Sequence, residues 1–586
     1  MGKILTVDLG SGQTERSPLP AHLQEQYLGG RGLGARIFCD LLPAGVDPLG
    51  PENVLIFAVG PLTATRAPTA GRSSLTTKSP LTNTIFDSNC GGVWGARLRR
   101  AGILAVIIKG RAATPVYLKL NEQGASLLRA ENLRGLNTLE TTRALADGPG
   151  TSVAAIGPAG ENLVPFASVS VDAKRSFGRG GVGAVMGSKN LKAMVVSGEL
   201  TVPVADPEKF DFILYETLKL LKANPITSQG LPQFGTAVLL NIFNESGALP
   251  SYNFQKGSFE GAEKLSGEAI SELLLKKYSC YRCPISCGRV IAGPGGPTAG
   301  PEYETVWSFG AACGISNLEL VAEANTICNL LGLDTISTGS TIACAMELKQ
   351  RGLLPEGPRF GREEGITDLV RDIAYRRGLG AKLALGSRRL AEEAGDGTLA
   401  MQVKGMELPA YDPRGMQGQG LAFATSNRGG CHLRANMMGP EILGAPKMVD
   451  RFACAGKAGI LIVKQHTSAI LDSLILCKFT NFAVDDEYYA RLLSTVTGRE
   501  YRAQDLQVIG ERIWNLERLF NLREGFTRRD DTLPPRLLSE PLQEGPSSGK
   551  TVNLEPMLAE YYRFRGWDSD GVPTKAKLNA LSLEGI

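Results

Sequence analysis

Three cysteines stand within a single short segment, Cys280-Tyr281-Arg282-Cys283-Pro284-Ile285-Ser286-Cys287, in a chain that has 11 in all. Thiolates this close can occupy three corners of one iron–sulfur cubane, leaving the fourth corner to a ligand from elsewhere. Three unliganded buried thiols are the plain alternative, and the tight spacing disfavours it. A zinc site also uses a Cys-x-x-Cys pair. The wider second gap and the lack of a neighbouring histidine favour iron–sulfur. Cys477 is a candidate fourth ligand, but on local grounds Cys313, Cys328, Cys344, Cys431 and Cys454 are equally open. Histidines number only three, at 22, 432 and 466. His432 sits in Arg428-Gly429-Gly430-Cys431-His432-Leu433-Arg434. Glu304 ends the acidic run Pro301-Glu302-Tyr303-Glu304. An imidazole and a carboxylate can together move protons on a substrate. A hydrogen-bonded structural histidine and a solvated acid are the plain alternatives.

The elements that must position these groups change character along the chain. Short apolar runs such as Val54–Val59, Leu104–Ile108 and Ala193–Val196, bounded by Gly, Pro or Asn, predict a β-rich segment over residues 1–200. Beyond Pro207, apolar residues recur at helical spacing in Phe210–Leu221 and Leu318–Leu331, and Glu364–Leu390 and Ala453–Leu476 read as helical too. Turn residues at Tyr411-Asp412-Pro413-Arg414-Gly415 mark a second boundary. The expected fold is α+β: a β-rich N-terminal domain over 1–200, then two mostly helical domains over 201–410 and 411–586. Pro534–Gly549, rich in Pro, Ser and Gly, reads as a surface loop, and no internal repeat is visible. At 586 residues the chain is too long for one core. Its 70 glycines imply either many tight turns or backbone wrapped around a large polar ligand.

Composition excludes several classes. The net charge of +4 is spread without a basic block, so nucleic acid is not an expected partner. No apolar stretch is long enough for a membrane span. Met1–Leu9 lacks a signal-peptide core and reads as a first strand. Reduced thiols and a cytoplasmic location are expected.

The cysteine triplet and seven further segments, in order, resemble the aldehyde:ferredoxin oxidoreductase family of tungsten enzymes. The segments are Gly29-Gly30-Arg31-Gly32-Leu33-Gly34, Ala70-Gly71-Arg72 leading to Lys78–Thr82, and Gly178-Arg179-Gly180-Gly181-Val182-Gly183. After the cysteines come Gly300–Thr305, Leu331–Thr335, Arg428–Arg434 and Asp472–Cys477. The resemblance runs from Met1 to about Phe482. It implies a tungsten (or molybdenum) atom held by two pterins, one [4Fe–4S] cluster, and a magnesium ion between the pterin phosphates, held by the carbonyls of Asn89 and Gly180. It also implies two pterin motifs. One is Asn329-Leu330-Leu331-Gly332-Leu333-Asp334, with Asn where the family has Asp. The other is Asp472-Ser473-Leu474-Ile475-Leu476-Cys477, with Ile where the family has Gly. Asn offers one acceptor atom where Asp offers two. The plain alternative for Asp334 is a polar residue at a helix end.

By the same resemblance Cys477 is the fourth cluster ligand, Arg72 lies between cluster and pterin, and Arg179 sits by a phosphate beside Gly180 and Gly181. Glu304 takes a proton from water or the aldehyde hydrate, and His432 polarises the carbonyl. His466 also faces the site, and His22 is a surface residue. The implied reaction oxidises a small aldehyde to a carboxylic acid with oxygen from water. Electrons leave to a ferredoxin or to dedicated iron–sulfur and flavoprotein subunits. The Glu-x-x-His metal link between subunits is missing, so a homo-oligomer would need other contacts. Two rival expectations are the tungsten subunit of an aromatic acyl-coenzyme A reductase and a non-catalytic iron–sulfur carrier.

Overall fold

The computed structural model describes residues 2–293 and 295–585. Its N-terminal third contains twelve strands. The first six are β1 (Lys3–Asp8), β2 (Thr14–Pro18), β3 (Leu55–Ala58), β4 (Ser73–Lys78), β5 (Ile85–Cys90) and β6 (Ile103–Lys109). They form one sheet in the order β5-β4-β3-β6-β1-β2, with only the β6–β1 pair parallel. The next six are β7 (Val116–Leu120), β8 (Ala125–Arg129), β9 (Thr151–Ile156), β10 (Val169–Val171), β11 (Arg175–Phe177) and β12 (Leu191–Ser197). They form a second sheet in the order β11-β10-β9-β12-β7-β8, again with one parallel pair, β12–β7. Adding six to each strand number of the first sheet gives the second. The domain is therefore an internal structural duplication, contrary to the expectation of no repeat. Its sequence trace is short. Val59-Gly60-Pro61 follows β3 as Gly157-Pro158 follows β9, and Gly91-Gly92-Val93 follows β5 as Gly180-Gly181-Val182 comes shortly after β11. Unequal intervening lengths hide the period.

Strands β3 and β6 are apolar along nearly their whole length because they lie at the centre of their sheet, where both faces are covered. The rest of the chain is mainly helical, so the fold is α+β as expected. The helices Pro207–Ala223 and Lys457–Leu474 correspond to expected ones, and Leu318–Leu331 has the expected bounds. The expected helix over 364–390 is instead three short ones, Ile366–Tyr375, Gly378–Leu383 and Ser387–Glu393. Arg376 at φ 53° and Gly386 at φ 87° turn the chain between them. Nor is Pro534–Gly549 simply a loop on the surface. Arg536 is buried on the short helix Pro535–Ser539 and pairs with buried Glu347 at 2.6 Å, while Leu537 and Leu542 enter the core. Among the described residues no helix is long and apolar enough to cross a membrane.

Two large cores result. One joins both six-stranded sheets to the C-terminal half of Lys457–Leu474 and to the helices Pro207–Ala223, Asp486–Thr497 and Ala503–Arg523. The other joins helices between Leu239 and Glu393, the helix Gln417–Ala424 and the helix Leu554–Arg565 to Phe86, Phe166 and Ala167 of the strand domain. A cavity lies between the strand domain and the helical regions.

Candidate active site

The cavity has a volume of about 860 Å³ and is lined by all four candidate cluster cysteines together with Arg72, Asn89, Arg179, Asn329, Asp334, Asp472, Glu304 and His432. That is near the upper end for a cofactor site. Residues separated by hundreds of positions are thus brought to one space.

Cys280, Cys283 and Cys287 occupy the loop between strands β13 (Leu274–Tyr278) and β14 (Gly288–Gly293). The loop is tied to the first sheet domain. Tyr281 donates its N–H to the Gly92 carbonyl, and Thr69 donates to that of Arg282. A Cβ on Gly71 would stand 2.6 Å from that of Tyr281, and one on Gly91 would stand 2.8 Å from the Cys280 sulfur. These two glycines let the loop come down onto the sheet. Cys477 enters from the far end of the Lys457–Leu474 helix. Burial raises the thiols of Cys283, to about 11, and Cys287, with neighbouring Cys477 adding to both. Arg72 stands beside Cys477, Cys280 and Cys90 and donates to the Asn89 side chain and, at 3.1 Å, to the Asn89 carbonyl. Among the described residues no three His, Cys, Asp or Glu side chains converge on a single ion. Four thiols around one cavity wall, too spread for one zinc, suit a multi-iron cluster.

The two pterin-type motifs end two helices in the same way. After Leu331 the chain reverses at Gly332 (φ 77°, ψ 45°), whose N–H and that of Leu333 both donate to the Cys328 carbonyl. After Leu474 it reverses at Ile475 (φ 62°, ψ 39°), whose N–H and that of Leu476 both donate to the Leu471 carbonyl. Each helix end sits on a glycine of the duplicated domain. A Cβ on Gly157 would lie 2.4 Å from the Leu331 carbonyl oxygen, and one on Gly60 would lie 2.6 Å from that of Leu474. Gly29-Gly30-Arg31 packs on the second helix end, where a Gly30 Cβ would meet the Asp472 carbonyl at 2.2 Å. These glycines serve close packing of the helix ends on the strand domain.

Asp334 caps the helix Thr335–Gln350, accepting from the Ile336 N–H at 3.0 Å. It also pairs with Arg179 at 3.0 Å and accepts from the Ser337 hydroxyl at 2.8 Å. Arg179 further donates to the carbonyls of Gly430 and Glu407. Asp472 receives Lys478 at 2.8 Å, Arg434 at 3.3 Å and Arg31 at 3.5 Å. Burial lowers the Lys478 amine to about 8 against the pull of Asp472. Asp87 lies under Arg434, Arg31 and Arg428, which together overcome burial and hold it well below the usual carboxylate range. Gly180 and Gly181 have φ of 84° and 69°, and a Cβ on Gly181 would lie 2.0 Å from the Pro165 carbonyl oxygen. No other residue fits that turn without displacing the backbone.

Glu304 opens the helix Tyr303–Phe309, and its Oε2 accepts from the Ala410 N–H at 3.0 Å. His432 follows Gly429 and Gly430, which press against the carbonyls of Val403 and Met406 in the hairpin Gln402–Glu407. The His432 Nε2 lies 3.6 Å from Glu304 Oε1, and the Tyr411 ring packs 5.2 Å from the imidazole. Glu304 Oε1 and His432 Nδ1 have no hydrogen-bond partner in the protein, nor have Asp87 Oδ2, Asn89 Nδ2 and Arg434 Nε. Buried polar atoms are normally satisfied, so unpaired donors and acceptors on a cavity wall fit a polar occupant. Burial pushes Glu304 up to about 8. Burial, with Arg179, Arg428 and Lys478 adding to it, pushes His432 down to about 3. The imidazole is therefore neutral.

His466 is not part of this site. It is buried between Gln507 and Arg565, at 3.2 and 2.6 Å, and its side of the helix faces Ala503–Arg523. His22 is exposed, as expected. Sequence reasoning missed Tyr411, Lys478, Asp87, Arg428 and Arg434. The two arginines flank His432 in a motif already singled out, whereas nothing local marks Asp87.

A duplicated strand base, a cysteine-bearing hairpin and two capped helices enclose one cavity in which thiols, carboxylates and arginines meet, the arrangement of an oxidoreductase with room for a large cofactor. The chain belongs to the aldehyde ferredoxin oxidoreductase family. Its N-terminal-domain model matches residues 4–198, and the model described as domains 2 and 3 matches 213–583. The tungsten-containing aldehyde ferredoxin oxidoreductase of Pyrococcus furiosus is 47% identical, with 99% of this chain and 98% of that protein aligned. That of Thermococcus kodakarensis is 45% identical over the same shares. Among solved structures, the active-site complex BamBC of benzoyl coenzyme A reductase with 1,5-dienoyl-CoA superimposes with a TM-score of 0.83. It is 27% identical and covers 99% of this chain and 97% of that one.

Proposed function

We propose that this protein oxidises an aldehyde to a carboxylic acid with water as the oxygen source and passes the electrons to a ferredoxin-type acceptor. The observation that carries the reading is the pairing of Glu304 with a neutral His432 in a cavity shared with four cysteines. The relatives at 45–47% identity bear aldehyde-oxidising names, against 27% for the coenzyme A reductase.

When bound, a tungsten bis-pterin supplies a two-electron acceptor and a [4Fe–4S] cluster a one-electron relay. Cys280, Cys283, Cys287 and Cys477 would hold the cluster. Arg72 would bridge toward the pterin nearest it. Asn329, Gly332, Leu333 and Asp334 would face one pterin, and Asp472 and Leu476 the other. Arg179, Gly180 and Gly181 would sit by the phosphates, with the Asn89 and Gly180 carbonyls toward a magnesium ion, an oxygen-ligand role. The same reading takes 1–200 as the cofactor base, 201–410 and 411–586 as the helical domains over it, and the cytoplasm as the location.

Glu304, with its raised proton affinity, takes the proton from water or hydrate as the new C–O bond forms. A carboxylate tuned near the working pH is an efficient base. The neutral His432 donates its ring N–H to the aldehyde oxygen, where negative charge develops. Tyr411 and Tyr303, both buried, exclude solvent from that side.

The test is anaerobic purification with metal and pterin analysis, then aldehyde-dependent ferredoxin reduction in isotopically labelled water. Tungsten or molybdenum, about four irons per chain and label in the carboxylate are expected. Zinc alone would overturn the reading. Iron without pterin would favour the carrier, and retention on immobilised coenzyme A the reductase.

A further inference from the structure

The helix Lys457–Leu474 turns four residues to the cavity, Lys464, Ser468, Leu471 and Asp472. Their spacing places them on one face. Asp472 lies at the cofactor end, held by Lys478, Arg434 and Arg31. Lys464 lies two turns earlier, about 12 Å along the helix axis. Among the part-buried or buried cationic side chains of the lining, Arg179 pairs with Asp334, Arg434 with Asp87, Lys478 with Asp472 and Arg175 with Glu302, while Lys174 is exposed to solvent. Lys464 differs. Among the described residues its amine has neither an ion-pair partner nor a hydrogen bond, although the side chain is half-buried and its charge is disfavoured by burial alone.

The amine nitrogen lies 3.8 Å from where a Gly439 Cβ would stand, beside the turn closed by the Ala445 N–H on the Gly439 carbonyl. Met438, Gly439, Ala445 and Pro446 line the cavity from the same segment. The nearby acid Glu441 is already taken by Lys457. A partly desolvated ammonium without a counter-ion is costly, and an anion arriving there would gain a charge-assisted hydrogen bond.

We infer that Lys464 is a specificity residue that binds a carboxylate at the far end of the substrate, so that this enzyme prefers aldehydes carrying a second, anionic group. One lysine matches one negative charge. The inference rests on the aldehyde-oxidising reading above for the reacting end, but not for the anion site itself.

The experiment compares the holoenzyme with Lys464→Met, which keeps the length and removes the charge. In the first arm kcat/KM is measured for 4-oxobutanoate against butanal, and for glycolaldehyde phosphate against glycolaldehyde. The wild type should favour 4-oxobutanoate over butanal. The variant should lose about 10- to 100-fold of that ratio, the worth of a hydrogen bond to a charged group, and Lys464→Arg should retain most of it. A Lys464-dependent preference for the phosphate pair alone would overturn the carboxylate assignment. In the second arm succinate is titrated into both proteins by calorimetry without turnover, and the variant should bind about tenfold or more weakly. Equal succinate affinity and an unchanged ratio would overturn the proposal. If neither aldehyde is oxidised but succinate binding still depends on Lys464, the reaction assignment fails and the anion site stands.

Discussion

The helix ends at Gly332 and Ile475 have the same hydrogen bonds, the same left-handed reversal and the same glycine floor, yet they carry different cargo. The first delivers Asp334, which also caps the next helix and pairs with Arg179. The second delivers Cys477 to the cavity that Cys280, Cys283 and Cys287 also line. They differ also in the residue that turns. Glycine adopts the left-handed region freely, whereas a β-branched side chain there costs about 1–2 kcal/mol. Ile475 offsets that cost by full burial, its Cγ1 and Cδ1 occupying the space left by Gly30. One backbone device, set on two copies of one strand unit, thus holds two chemistries, and each turn residue suits its own floor.

The largest expected effect separates the cargoes. Cys477→Ser should abolish or greatly weaken the reduced cluster's paramagnetic resonance signal and lower aldehyde-dependent ferredoxin reduction by about two powers of ten or more, given that a thiolate is the cluster's ligand. Cys431→Ser should keep the signal, because its sulfur is engaged by Arg428 and the Leu433 N–H instead. A reversed result would move the fourth ligand and end the comparison.

Exchanging the turn residues comes next. Gly332→Ile adds left-handed strain and drives a Cβ to 2.9 Å from the Gly157 nitrogen. The holoenzyme should lose about 3–5 kcal/mol, read from thermal or denaturant unfolding. Ile475→Gly relieves the strain but empties a buried site, for a net loss of about 2–3 kcal/mol. A stabilised Ile475→Gly protein would show that the side chain is not the reason for the departure from glycine.

The smallest effect is expected at the other departure. Asn329 lines the cavity, and its carbonyl is held by Thr138. Asn329→Asp restores a second acceptor at the cost of burying another charge. Pterin content should change by less than about threefold, the scale of one modest hydrogen bond.

The division into a strand-rich beginning and a helical remainder was legible from apolar spacing, and the cysteine triplet from residue type alone. The duplication was not, because Gly60-Pro61 to Gly91-Gly92 and Gly157-Pro158 to Gly180-Gly181 span different lengths. The break at Arg376 was missed because left-handed arginine leaves no mark in a helical pattern. His466 was misplaced for a related reason. Helical spacing shows that it lies in a helix but not which neighbour covers its face, and Arg565 and Gln507 come from far along the chain. Asp87 and Lys464 matter through partners present or missing, which only the folded chain reveals.

In the proposed reaction Glu304 acts as a base beside neutral His432. With Glu304 raised to about 8 and the ionised form required, kcat of the wild type should rise with pH through about 8 and then level. His432, lowered to about 3, should add no limb in the accessible range. Glu304→Gln keeps the size and removes the base. With metal and pterin content matched to wild type, it should lower kcat by about two to four powers of ten and flatten the limb near 8. Near-normal aldehyde oxidation by fully metallated Glu304→Gln protein, with the limb intact, would contradict it.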